Sequence, residues 1–489
     1  MSKNTTKRSL LASVFALVLC VAMLVGSTFA WFTDTASTGV NKIVSGNLKV
    51  DIIGADSDSH IEKLNFTKAA VTDAEAGAEI LWEPGCRYLT EGFRIANKGN
   101  LALKWKAQVN TGTTVANEGN FDLLDVIDFY LVTKAADGTE TETALDVFTG
   151  NLKKTETSDV YYIKGVMQTT AGNDYQGLTL DGISITVVAT QDTVENDSFN
   201  NQYDKDAEYP ILVTTGDQLQ ATVNNATAPV NIVLANSITT NNFVIPADKD
   251  VTLDLNGRTV TNAGSHTILN KGHLTLTDSS TDKSGQIISL KGNTAALRNG
   301  DNAVCVVEGG TISRDGANGN TWHVVENFGK MTFNGGKVVL KNGNGFAITN
   351  GWNYFDPGAS TTHAVMEINA LELDTDSSGI KNCRYGDLTV NDVTVTSTGY
   401  WALSNDYLGT AVINGGTLTS NSFKAVSNGA AMTVNGGTFN GTNGLFVQSY
   451  ATSTVLNGGT FANMNVAALS SYVGTGHTAQ QSGTSVIIK

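Results

Sequence analysis

The chain has 489 residues, 50 glycines against 5 prolines, and a formal net charge of −15. Its length allows two or three domains, and its many turn residues fit an all-β chain. The lack of any clustered run of Lys and Arg excludes a nucleic-acid partner of the phosphate-binding kind, so the acidic balance reads as a solubilising surface. Of four cysteines, Cys20 lies in an apolar stretch, and Cys86, Cys305 and Cys383 are an odd set at wide spacing. This pattern excludes a disulfide framework and gives no zinc site, and Cys305 and Cys383 read as buried free thiols, with a meeting across coils as the alternative. No cofactor is expected.

At the N-terminus Lys7 and Arg8 precede an apolar run over residues 10–25 and the small-residue segment GSTFA. Residues 1–30 read as a signal peptide cut after Ala30, so the mature chain begins at Trp31. The run also nearly reaches membrane-spanning length, which leaves a retained anchor as the alternative.

Residues 31–195 read as a β-sandwich of jelly-roll type. Leu101, Leu103, Trp105, Ala107 and Val109 alternate with polar residues, as a strand with one buried face does, and Ile183, Ile185, Val187 and Ala189 repeat the pattern. Pro84-Gly85 and Lys98-Gly99-Asn100 mark turns. The segment FDLLDVIDFYLV, residues 121–132, fits either a short helix or a buried strand.

Three segments here carry a resemblance: AWFTDTASTGVNKIVSGNLKVDI from Ala30, WEPGCRYLTEGFRIANKGNLALKW from Trp82, and DYQGLTLDGISITVVATQDTVENDSFNNQYD from Asp174. Together they resemble the TasA/camelysin family of Gram-positive secreted proteins across about residues 1–205. The resemblance implies processing by a signal peptidase of SipW type and a place at the cell surface or in the biofilm matrix. It also implies self-assembly, or assembly with a second TasA-like subunit, in which residues 31–51 add as a strand to the next subunit's sheet edge. The alternative is that this segment folds back as the first strand of its own domain. The metalloprotease activity attached to camelysins finds no support, because there is no H-E-x-x-H and His60 stands alone in an acidic stretch.

Residues 196–210 are a polar, acidic linker, and residues 211–489 form the second domain. Asp217 reads as a helix N-cap, with Leu219 and Val223 on one face of a short helix that caps the first coil. Beyond it, MTFNGGKV, MEINALEL, LTVNDVTV, AVINGGTL, MTVNGGTF and TVLNGGTF repeat one phrase, anchored by Asn334, Asn369, Asn391, Asn414, Asn435 and Asn457. A period near 22 with alternating apolar positions is the mark of a strand solenoid. We expect a right-handed parallel β-helix of eleven or twelve coils, similar in architecture to adhesin-like bacterial surface domains. At each corner the glycines supply positive φ, and the asparagines are placed to stack as a hydrogen-bonded ladder.

A second register holds aromatics. Tyr385, Tyr407 and Tyr450 lie six or seven residues before the next anchoring Asn, Asn428 fills the equivalent place between them, and Trp352, Tyr354 and Trp401 lie close by. An exposed aromatic column suits the faces of sugar rings in cell-wall or matrix polysaccharide, whereas a structural stack covering strand edges is the alternative. The acids and histidines of this half show no paired-carboxylate or acid-plus-base motif, so the chain reads as non-enzymatic. A polysaccharide lyase or glycoside hydrolase on the β-helix is the enzymatic alternative.

Overall fold

Apolar residues alternating over short strands, with a turn every few residues, leave the C-terminal half one way to bury its inner side: coil upon coil. A computed structural model describes residues 47–61, 64–67, 82–110, 113–114, 121–145, 148–181, 184–192, 209–319, 322–352 and 362–489. The protein is all-β, with 49% strand and 7% helix, and its C-terminal half is a β-solenoid of about ten turns. Three parallel sheets run along it. Sheet I holds 11 strands from Ile211–Val213 to Ser453–Leu456, sheet II holds 12, and sheet III holds 9 from Val244–Ile245 to Leu445–Val447. About ten turns replace the expected eleven or twelve because loops such as those before Leu297 and Val325 lengthen the early coils.

Inward residues stay in register from coil to coil. In sheet I, Leu274 pairs with Cys305, Cys305 with Met331 and Met331 with Met366, all essentially buried. Cys305 and Cys383 are both buried free thiols, and loss of water pushes each up to about 12.

The anchoring asparagines do form the expected ladder. The Nδ2 of Asn369, Asn391, Asn414, Asn435 and Asn457 each donates to the Oδ1 of the anchor one coil earlier, at 2.6–2.9 Å. Positive φ falls on the second glycine of each Asn-Gly-Gly corner: Gly336, Gly416, Gly437 and Gly459 lie between +91° and +108°. A side chain there would also crowd the preceding coil, since a Cβ on Gly416 would stand 2.6 Å from the Val393 carbonyl oxygen.

A second ladder, not anticipated, is buried at the end of sheet III. Asn270, Asn299, Asn327, Asn350, Asn382, Asn405 and Asn428 each close a strand of the sheet. Each Nδ2 up to Asn405 donates to the next Oδ1 at 2.7–2.9 Å. Each also reaches a backbone carbonyl of the following coil, as Asn405 reaches that of Ala431. Asn428 therefore belongs to this ladder and not to the tyrosine register in which the sequence placed it.

Both ends of the solenoid are covered. The helix Gly216–Asn225 is capped by Thr215, whose Oγ1 accepts the Gln218 N–H, so the cap lies two residues before the expected Asp217. Leu219 and Val223 are fully buried, and Gln220 exchanges two hydrogen bonds of 2.8 and 2.9 Å with the backbone of Val244 in the first strand of sheet III. At the far end the hairpin of Ala479–Ser482 and Ser485–Ile488 adds antiparallel to Gly459–Phe461 and closes sheet II.

The N-terminal part is antiparallel. A seven-stranded sheet includes Val50–Gly54, Phe93–Asn97, Tyr161–Met167 and Ile127–Lys134, and a three-stranded sheet joins Ser184–Gln191, Leu103–Asn110 and Phe148–Leu152. Both contribute to one apolar cluster around Phe93, Ile95, Leu103, Trp105, Leu131 and Ile163. The ambiguous segment resolves into a single turn, Leu123–Asp125, and the strand Ile127–Lys134. In Ser184–Gln191 the most buried residues are Thr186 and Val188, while Ile185, Val187 and Ala189 pack half-buried on the core. This strand is covered on both faces, which blurs the expected alternation. Residues 1–46 and 193–208, and with them the expected cleavage site and most of the linker, lie outside the described residues.

Candidate binding groove on sheet III

Strand alternation turns one residue per coil of sheet III outward, just before each buried asparagine or, in the last coil, before Val447. This column reads Arg298, Glu326, Thr349, Lys381, Ser404, Ser427 and Phe446, residue paired with residue in successive coils. Six strand spacings of about 4.8 Å make it roughly 29 Å long. Two residues before each inward apolar position lies a near rim, His266, Ala295, His323, Phe346, Ser378, Trp401 and Lys424. Beyond the asparagines the chain turns into sheet I, and there lie Trp352, Arg384, Tyr407 and Tyr450.

A hollow of about 250 Å³ opens over the later coils. Trp401 and Phe346 wall one side and Tyr450 the other, with Ser404, Ser427 and Gln448 below. Tyr450 is 55% exposed. Its ring lies on Gly429, where a Cβ would stand 2.7 Å from Cε2, so only glycine lets it settle there. Lys381 and Asp406 pair at 3.3 Å inside the hollow. Beside it the Lys424 ammonium lies 3.6 Å from the Phe446 ring centre, 5.3 Å from Phe423 and 5.6 Å from Trp401.

The structure sorts the aromatics that the sequence singled out. Trp401 and Tyr450 meet across one hollow, and Tyr407 is exposed on the same side as Tyr450. Tyr385 falls one residue out of that row, because Asp387 pairs with Thr410 and so sets Arg384, not Tyr385, beside Tyr407. Its ring packs against His363 and under the Arg384 guanidinium, which donates to its hydroxyl at 3.0 Å. Trp352 is only 9% exposed and lies 4.5 Å from Phe328, so it braces the rim and offers no open face. Ala30, Trp31 and Tyr354 lie outside the described residues.

A charged cluster at the other end of the column escaped the sequence. Glu326 is buried, held by Arg298 at 3.0 Å and by the Trp322 indole N–H at 2.8 Å. Burial pushes both His266 and His323 down from the ordinary imidazole value. The His266 Nδ1 accepts the Ala295 N–H at 2.8 Å, and the His323 Nδ1 bonds the Phe346 carbonyl oxygen at 2.9 Å. The two histidines stand two coils apart and Arg298 one coil from Glu326, too far for motif spacing. The signal that finds them is the place two residues before the inward apolar position, which holds His266, His323, Trp401 and Lys424 alike.

No family model, curated protein or solved structure matches this chain.

Proposed function

We propose that this is a secreted, non-enzymatic surface or biofilm-matrix protein that binds cell-wall or matrix polysaccharide along the groove of sheet III. In this reading a SipW-type signal is removed, the N-terminal part is a TasA-like jelly-roll sandwich, and the C-terminal half is an adhesin-like right-handed β-helix. The observation that carries the binding site is the pairing of Trp401 and exposed Tyr450 across a hollow floored by small polar side chains. Two aromatic faces over hydroxyl and amide groups suit a sugar, which presents an apolar face and a polar edge. Tyr407 adds a further exposed ring on the side of Tyr450, so a polymer gains by avidity what a single ring cannot.

The test is the double variant Trp401→Ala, Tyr450→Ala, assayed for retention on cell-wall polysaccharide together with its melting temperature. Loss of retention with melting unchanged supports the site. Unchanged retention, or lost retention explained by unfolding alone, sinks it.

Catalysis on a polysaccharide has one observation in its favour: Glu326 and Arg298 lie on the same column near two neutral histidines. Both Glu326 oxygens are already bound, which argues for a positioning role over proton transfer. Release of reducing or unsaturated sugar ends would support the enzymatic reading.

A further inference from the structure

Three carboxylates beside the groove have basic neighbours. Glu326 pairs with Arg298 at 3.0 Å, Asp406 with Lys381 at 3.3 Å, and Asp387 with His363 at 2.8 Å. Among the described residues Lys424 has no carboxylate or hydrogen-bond partner, and its ammonium rests only on ring faces. Arg384 likewise has no carboxylate, and its Nε is buried without a hydrogen bond. In a chain of net charge −15, two cations on one groove without counter-charges among the described residues are a local reversal of sign.

A half-buried ammonium held against aromatic rings keeps its attraction for an anion, because little water remains to screen it. Lysine acts there as a point charge, suited to a carboxylate that arrives at the edge of a ring stacked next door. Trp401 is that neighbouring platform, one coil before Lys424 at the same position. We propose that the groove selects an anionic polysaccharide of the uronic-acid class, laid along the column with its rings on Trp401 and Tyr450 and a carboxylate on Lys424. This rests on the glycan-binding reading above. A single-stranded nucleic acid also combines charge with stacking, but it calls for a row of cations along its backbone, and among the described residues of the later coils Lys424 and Arg384 alone lack a carboxylate partner.

The probes are cellohexaose and hexaglucuronate, which share a backbone and differ by the carboxylate at C6, with oligothymidylate as a third. Each is titrated by calorimetry into the chain from Trp31 onward and into its Lys424→Met variant, which keeps the apolar stem and drops the charge. The expected result is tighter binding of hexaglucuronate, weakened about tenfold by Lys424→Met while cellohexaose is unaffected. The preference should also shrink between roughly 0.1 M and 1 M salt.

Equal binding of the two sugars, or no selective effect of Lys424→Met, overturns the anionic class and leaves glycan binding standing. Binding of neither sugar removes the glycan reading and this proposal together. Tighter binding of oligothymidylate than of hexaglucuronate also overturns the proposal. A Lys424→Met variant with a lowered melting temperature is replaced by Lys424→Gln, and retained preference in that variant counts against the idea.

Discussion

Asn350 shows what a single residue does in the stack. Its Nδ2 donates to Asn382 and its Oδ1 accepts from Asn327, all three fully buried. Asn350→Ala would leave the buried Asn382 Oδ1 without its donor and take a bond from Asn327 Nδ2 and from the Asp387 carbonyl, so we expect a loss of about 2–4 kcal/mol in urea unfolding. The same change at Asn414, in the exposed ladder, should cost under about 1 kcal/mol because water replaces the lost partner. Equal losses at both sites would show that burial is not what gives the inner ladder its value. His266 and His323 add a dependence on pH. Both are held below the ordinary imidazole value, so the folded state favours their neutral form while the unfolded chain takes up protons near pH 6.5. Their contribution is complete above that pH and is lost as the pH falls below it, toward their lowered folded values. Melting temperature should fall between pH 7.5 and 5.5, less steeply in a His266→Gln, His323→Gln variant; parallel profiles would refute this.

At the scale of elements, the caps decide whether the sheets end cleanly. The helix Gly216–Asn225 covers the first coil with Leu219 and Val223 and occupies the Val244 backbone through Gln220. Leu219→Asp with Val223→Asp should lift the helix, uncover a strand edge and give concentration-dependent association on size exclusion. A variant that stays monomeric would mean that the helix is dispensable. This helix was legible in the sequence through its two apolar residues. Its boundary was not, because Thr215 with Gln218 and Asp217 with Gln220 offer rival caps, and only the approach of Val244 decides between them. The solenoid was legible wherever Asn-Gly-Gly marked a corner. The inner ladder was not, since one buried Asn at the end of each short strand looks like an ordinary turn residue until the strands are stacked. The groove was half legible. Aromatic spacing found Trp401 and Tyr450, but loops of unequal length displaced Tyr385 from the row, and the place of Lys424 beside Trp401 depends on pairing between coils.

For the whole molecule, the proposed assembly gives a direct test. Val50 and Asp51 pair with Asn97 and Ala96 of the same chain, so the end of the proposed donor segment 31–51 is already in place at home. If the part before it donates a strand, deleting residues 31–39 from the mature chain should abolish polymers seen by light scattering and electron microscopy while the solenoid still melts cooperatively. A full-length mature protein that remains monomeric at high concentration would end the fibre proposal. The inner amide row bears on where any such fibre would grow. It runs one way, each amide giving to the next, and both of its ends are closed within the chain. The Asn270 oxygen accepts the Gly272 N–H at 3.1 Å, and the Asn428 nitrogen gives to Ser453 O and Thr454 Oγ1, both at 2.8 Å. Stacked asparagines of this kind are what lets open-ended cross-β assemblies recruit copy after copy. Here the row is a finished oligomer with both end groups consumed, so a second molecule butted against the first meets no dangling amide to extend. The length of the solenoid is written into its side chains, and growth of any filament would fall to the other half of the protein.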